Sequence, residues 1–433
     1  MKEVKRTNWC RVIRHSPLRL LKRTMKETIK TKKITVPQQR GILGITMGII
    51  SSGRGRLVNI SEKRYPFHAN CVKSFLNRLS YLLQGRNISK LAEGIYRNFV
   101  LQSLKKIKPY IYKGKLVALI DWTAYRKYSR KAKKNKGMQW VGKVWDGREK
   151  KPVTGYGGLI TGILLENEKM LPITHHLYSN KYMESHLRSC RSINQIEEEA
   201  VKVLKEIAGD NIILIGDRHF ANKNFLYKLK KMEKVDFLMR IKKGVNITGE
   251  EKKEWINIYK KSISVRRSYP VLWYYSKNEK ARRCKAKIFK AKLFAPNCQK
   301  TLVVWVVIIE PESSTRQEPI ILVCSFEITP YDLQEITNLY KKRWIIETTI
   351  ETLKQNFGLE KIMVRKWRAI ETMIFLTLLA YSLILFIWLT TKKLILEGVI
   401  VLLRKTTILT QGKLSISKWR YALSLLILQP NAI

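Results

Sequence analysis

Acidic residues are scarce in this sequence. Its 433 residues hold 33 Asp and Glu against 84 Lys and Arg, a formal net charge of +51. Folding asks for no such excess, since like charges repel, so the imbalance points to a polyanionic partner. The basic residues spread over most of the chain, which suits nucleic acid better than a membrane surface. Scarcity also makes any acid in an apolar setting conspicuous. Cysteine pairs are lacking too: Cys10, Cys71, Cys190, Cys284, Cys298 and Cys324 form no CxxC. A structural zinc centre is therefore not expected, and a chain of this size needs no disulfide staples, which fits a reducing, intracellular compartment. No continuous apolar signal segment opens the chain. Its first 33 residues are basic and acid-poor and read as a DNA-contacting arm in preference to an organellar transit peptide. Internal repeats and long low-complexity linkers are also missing. One apolar run, at 373–389, nears the length of a membrane span. It holds Thr377, Tyr381 and Ser382 and follows directly on a charged segment, so it reads as a buried core helix, and no membrane is expected.

What is present is globular: 45% apolar and 10% aromatic residues. Residues 1–112 read as a basic helical DNA-binding domain. Arg11, Arg14, Arg19 and Lys22 lie in a first amphipathic stretch, Val72, Phe75, Leu79 and Leu82 recur at helical intervals in a second, and a third opens after Asn87. At Lys115 the pattern changes: KLVALID is a short apolar run ending in Asp121, as in a buried strand whose last residue emerges at an edge. From Arg126 to Trp145 cations are laced with Tyr128, Trp140 and Trp145, the composition of a nucleic-acid contact and equally of a solvated hairpin loop. Strands are expected at 153–165 and 171–177, then a helix at 192–208 with Glu at its start, where the helix dipole favours acids. NIILIGD repeats the earlier theme and ends in Asp217, before a helix at 222–232 and a strand at 236–241. Strands alternating with helices make an α/β core over 113–243. Residues 244–318, with SISVRRSYPVLWYY and TLVVWVVII, read as an all-β insertion. The core resumes over 319–362, and residues 363–433 form a helical C-terminal region.

Residues 340–354, YKKRWIIETTIETLK, read as one uninterrupted helix. At about 100° per residue, Tyr340, Arg343, Glu347 and Lys354 share an arc of about 60°. A carboxylate between cations and a phenol suits a cation-bridged phosphate, although a solvated helix face with i,i+4 pairing reads the same way. Two strands ending in Asp and a helix carrying Glu are the parts needed to hold two divalent cations. Without cations, three clustered carboxylates raise one another's pKa values. A lone strand-terminal Asp is more often a turn or cap residue.

Asp121 in LIDWT, Asp217 in IGDRHF and Glu347 in Y-x2-R-x3-E-x6-K resemble the DDE triad of bacterial insertion-sequence transposases, and the Tyr-Arg-Glu-Lys signature resembles that of insertion-sequence family 4. The resemblance covers about residues 115–362. It implies a ribonuclease-H-like core with Asp121, Asp217 and Glu347 as catalytic ligands of two Mg²⁺ (or Mn²⁺) ions. Tyr340, Arg343 and Lys354 would contact DNA phosphates. Implied partners are double-stranded DNA, as transposon ends and target, and a second copy in a homodimeric synaptic complex. The implied setting is the bacterial cytoplasm, at the nucleoid. His219 departs from the resemblance, standing where the family usually has Gly after Asp-Arg.

Several roles stay open. Glu351 projects close to Glu347 and is a second choice as ligand. His219 reads as a structural hydrogen-bonding residue or as an acid–base or metal residue. His175 and His176, adjacent in a strand, point to opposite faces. Trp255, Trp273 and Trp305 of the insertion are candidates for stacking on a flipped base, with Trp305 better suited to the core. The rival readings of the whole chain are a domesticated relative that binds DNA without cutting it, and a membrane-associated basic protein.

Overall fold

Thr35 accepts a hydrogen bond from Gln38 N, and Gln38 Oε1 accepts one from Thr35 N, a capping box that starts helix α1 (Val36–Ser52). The computed structural model describes residues 35–54, 60, 77, 79–85, 87–127, 138–147, 149–185, 192–248, 255–274, 280–312, 318–390, 416, 420 and 421. The basic stretches expected at 1–33 and 128–137, most of the helix expected at 71–83, and most of the region past 390 lie outside them. Helix α2 (Ile88–Leu104) follows, with Ile88, Leu91, Ala92, Ile95, Phe99 and Ser103 on its buried face.

The first half of the sheet is antiparallel. β1 (Ile111–Tyr112) turns back on β2 (Lys115–Arg126) through Lys113 and Gly114, both at positive φ. β3 (Gly142–Asp146) and β5 (Met170–Tyr178) pair with one edge of β4 (Lys151–Leu164), whose other edge pairs with β2. After the short helix α3 (Asn180–Ser185), α4 (Ile193–Ala208) leads into β6 (Ile212–Gly216), which lies parallel to β2. Helix α5 (Lys223–Tyr227), a π-helical turn at Lys228–Met232 and β7 (Asp236–Arg240) complete this half, with β7 parallel to β6.

The next segment is mostly β, but not wholly. β8 (Asn246–Ile247) and β9 (Ile256–Asn257) form a separate pair, and Asn257 then caps a short helix, α6 (Ile258–Ile263). The all-β expectation is corrected here: Asn257 Oδ1 accepts from Tyr259 N and Lys260 N, giving a helix start that strand periodicity does not register. β10 (Tyr269–Trp273), β11 (Arg282–Ala295) and β12 (Lys300–Pro311) form an antiparallel meander, and β13 (Ile320–Cys324) joins it to β7. The insertion therefore extends the central sheet instead of standing apart from it.

Helices α7 (Leu333–Lys341) and α8 (Trp344–Asn356) replace the single helix expected over 340–354. At the joint, Lys342 N and Arg343 N bond to Leu339 O and Tyr340 O, three residues back instead of four, and this tightening changes the phase of the face. Gly358, at φ 69°, terminates the second helix. Helix α9 (Trp367–Thr390) is long and apolar enough to cross a membrane, yet it is almost wholly buried against α1, α2 and β5. Tyr96 on α2 donates to Pro172 O on β5 at 2.6 Å and its ring meets Phe375 of α9 at 6.2 Å. Burial of this helix is what its Thr, Tyr and Ser residues anticipate.

Candidate active site

The two aspartates meet because of strand register. β2 pairs with β6 from Leu116↔Ile212 to Leu119↔Ile215, a constant offset of 96 positions. Asp217 follows Asp121 by the same 96, so each lies two residues beyond the last matched pair. Here one expectation needs correction: Asp121 does not end its strand. β2 continues to Arg126 because β4 goes on pairing with it, as far as Arg126↔Gly155. Asp121 therefore sits in mid-strand, on the lip where its parallel neighbour has ended.

The charge of the third acid, Glu347, is felt at Asp121. Burial, with Asp217 next and Glu347 after it, lifts the Asp121 carboxyl to about 7, against the opposing pull of Arg343 and a hydrogen bond from Trp122 N. On α8, Arg343 Nη1 contacts Glu347 Oε1 at 2.6 Å. Burial works against the Arg343 charge, yet Tyr340, Glu347 and Asp121 outweigh it and hold the guanidinium above the ordinary arginine range. Its Nε is buried with no hydrogen-bond partner among the described residues, as expected of a fork awaiting an oxygen acceptor. Tyr340 is buried and its ring stacks on Trp273 at 6.1 Å, 20° between planes. Burial pushes its phenol up to about 12, with Arg343 and Arg240 opposing and Asp217 adding.

Lys354 stands apart from this group. Only 8% of its side chain is exposed, and Nζ donates to Ala124 O at 2.6 Å and pairs with Glu360 Oε1 at 2.9 Å. These contacts tie α8 to β2 and to the turn at Leu359–Lys361, which Lys127 grips through Glu360 O and Ile362 O. The phase change at residues 342–343 sets Tyr340, on α7, apart from Glu347 and Lys354, which share α8. Glu351 is partly exposed and accepts from Gln355 Nε2 at 3.0 Å.

Sequence reasoning missed Arg240, which ends β7 near Tyr340, and Glu197. The glutamates of α4 lie past its first turn, so the dipole account does not explain them. Glu197 has only 3% of its side chain exposed. Its Oε1 accepts from Trp122 Nε1 at 2.9 Å and from His219 Nε2 at 3.1 Å. The signal was there: Glu197 falls in line with the buried Ala200, Val201 and Leu204, on a face that otherwise wants apolar residues. His219 is half-exposed, and its bond to Glu197 raises its imidazole pKa, with burial opposing and the charges of Glu197, Asp217 and Asp121 adding. His175 is buried against Tyr125 Oη at 2.8 Å, and His176 faces Glu199 instead.

The family model described as the transposase DDE domain matches residues 112–383. The chain belongs to the transposase DDE domain family. No curated protein matches it. The matched region of this DDE domain runs from the end of β1 to most of the way along α9, so it contains both aspartates, Arg343 and Glu347. DDE transposases generally work with divalent metal ions. The donors here are all carboxylate oxygens, which suit hard divalent cations. Among the described residues no three such groups are gathered closely enough to hold an ion, with Glu347 drawn onto Arg343.

Proposed function

We propose that the chain is a DNA transposase of the insertion-sequence family 4 type, which binds terminal inverted repeats and cuts and joins DNA at phosphodiester bonds. The observation that carries this reading is the shared 96-residue offset, which sets Asp121 beside Asp217 within the electrostatic reach of Glu347. Strand order β5–β4–β2–β6–β7, antiparallel through β2 and parallel from it, supports a ribonuclease-H-like core. Asp121, Asp217 and Glu347 would hold two Mg²⁺ or Mn²⁺ ions. Such ions would supply a bound water acidic enough to lose its proton and act as nucleophile, and charge to stabilise the departing 3′ oxygen. The side chains of Arg343 and Tyr340 bind and orient the phosphate, and Lys354 positions α8 against β2. Water attack breaks the P–O3′ bond and leaves a 3′-hydroxyl. That hydroxyl then attacks a target phosphodiester, conserving the number of P–O bonds.

The net charge of +51 suits a polyanionic partner, and the chain would act at the nucleoid in the cytoplasm, as a homodimer. The test is Glu347→Ala, assayed on duplexes copied from the DNA flanking the coding sequence. Loss of Mg²⁺-dependent cleavage with retained, salt-sensitive binding is expected. Cleavage at the wild-type rate would refute the assignment. A second reading, a relative that binds DNA without cutting it, draws on the ion pair that engages Glu347 with Arg343. Inability of the wild-type chain to cleave would favour it.

A further inference from the structure

Between Asp121 and Asp217 runs a chain of hydrogen bonds that neither motif announces. Trp122 donates twice, from its backbone N to Asp121 Oδ1 at 2.9 Å and from its indole Nε1 to Glu197 Oε1 at 2.9 Å. His219 has the matching arrangement, with its backbone N on Asp217 Oδ1 at 2.8 Å and its Nε2 on the same Glu197 oxygen at 3.1 Å. The Trp122 and His219 rings meet edge to face, 6.4 Å apart at 77°. One oxygen from α4 thus reaches both aspartate-bearing segments through the two residues that hold the aspartates' own oxygens.

We infer that Glu197 is a positioning residue of this site, a buried yoke that sets the two aspartates relative to each other. The inference rests on the proposed function above. Burying a carboxylate among Ile196, Ala200 and Val201 is costly, and an apolar side chain would fill the position at less expense. The two donors satisfy it, and they are the two that couple β2 to the segment after β6. Where β6 has ended there is no ladder to keep Asp217 in register, and the yoke takes over from backbone pairing at that point. Glu197 touches neither aspartate, so it acts through Trp122 and His219.

The test compares the full-length wild type with Glu197→Ala and Glu197→Gln. Single-turnover cleavage of duplexes copied from the DNA flanking the coding sequence is measured with Mg²⁺, alongside half-saturating DNA concentration and thermal midpoint. For Glu197→Ala the cleavage rate should fall about 10–100-fold, as for other residues that orient metal ligands, with half-saturating DNA within about twofold. In Glu197→Gln the amide oxygen still accepts from Trp122, and the rate should recover to within about fivefold of wild type. An alanine variant at the wild-type rate overturns the yoke, and so do two variants equally slow with equally lowered midpoints. If the wild-type chain itself is inactive, the functional reading fails, and ring resonances of ¹⁵N-labelled histidine then decide. One ring displaced by Glu197→Ala supports the yoke, and unmoved rings overturn it.

Discussion

Arg343 holds Glu347 one helical turn along α8, Nη1 to Oε1 at 2.6 Å, while its own Nε stays buried without a partner among the described residues. The same guanidinium lowers the Asp121 carboxyl that burial, Asp217 and Glu347 raise. One cation therefore balances the acids while still offering a donor. On the proposed function, phosphate or metal would rearrange this balance.

Removing that cation should cost both chemistry and binding. Arg343→Ala is expected to lower kcat/KM for cleavage about 10²–10³-fold, the range for loss of a preorganised donor. Arg343→Lys restores charge without the fork and should recover less than about tenfold of it. Single-turnover cleavage with parallel DNA-binding titrations checks this, and a fully active lysine variant would contradict it.

Asp121 makes metal-free stability depend on pH. Its folded-state carboxyl sits at about 7, above the unfolded value, so its contribution is full below about pH 4 and is lost as pH rises through 7. With burial as its main cause, the shift corresponds to a loss of at most about 4 kcal/mol. Asp121→Asn should accordingly stabilise the chelated protein at pH 8 and not at pH 4. Thermal melts at the two pH values decide, and an equal gain at both would be the wrong result. Added Mg²⁺ should raise the wild-type midpoint at pH 8 more than that of the variant.

Gly216 ends β6 just before Asp217. A Cβ there would lie 2.9 Å from Met239 Sδ, 2.9 Å from Phe220 Cδ2 and 3.0 Å from Ile120 Cγ2. Gly216→Ala should destabilise by about 1–3 kcal/mol through overpacking. Because the strain falls next to Asp217, cleavage should drop further than DNA binding does. Denaturant titration and a cleavage assay measure the two effects.

Lys354 separates an anchor from a phosphate contact. Breaking its buried pairing with Ala124 O and Glu360 should cost about 3 kcal/mol, so Lys354→Ala should lower the midpoint markedly. A phosphate contact alone would instead leave stability untouched and weaken DNA binding. Chemical denaturation and binding titration of one variant tell these apart.

Much of the core could be read from local pattern. Ser192 caps α4 with Gln195 as a capping box, and Asn222 caps α5, both where the expected helices begin. β6, β7 and β13 match their apolar runs closely, because strands buried on both faces need uninterrupted apolar residues. The insertion's helix α6, the continuation of β2 past Asp121 and the break at Lys342–Arg343 did not show. Each depends on a partner remote in sequence or on a single hydrogen-bond step that periodicity averages away.

The amino-acid order alone determined which residues carry charge, which runs are buried, and that Asp121 and Asp217 stand 96 positions apart. Pairing of β2 with β6 decided that 96 is the distance that brings them side by side. Packing likewise sent Lys354 into the interior and turned Glu197 inward to Trp122 and His219. Side-chain chemistry is written residue by residue, whereas neighbourhood arises only when strands choose their register and helices their phase. Those choices minimise the free energy of the whole chain, so no single stretch records them.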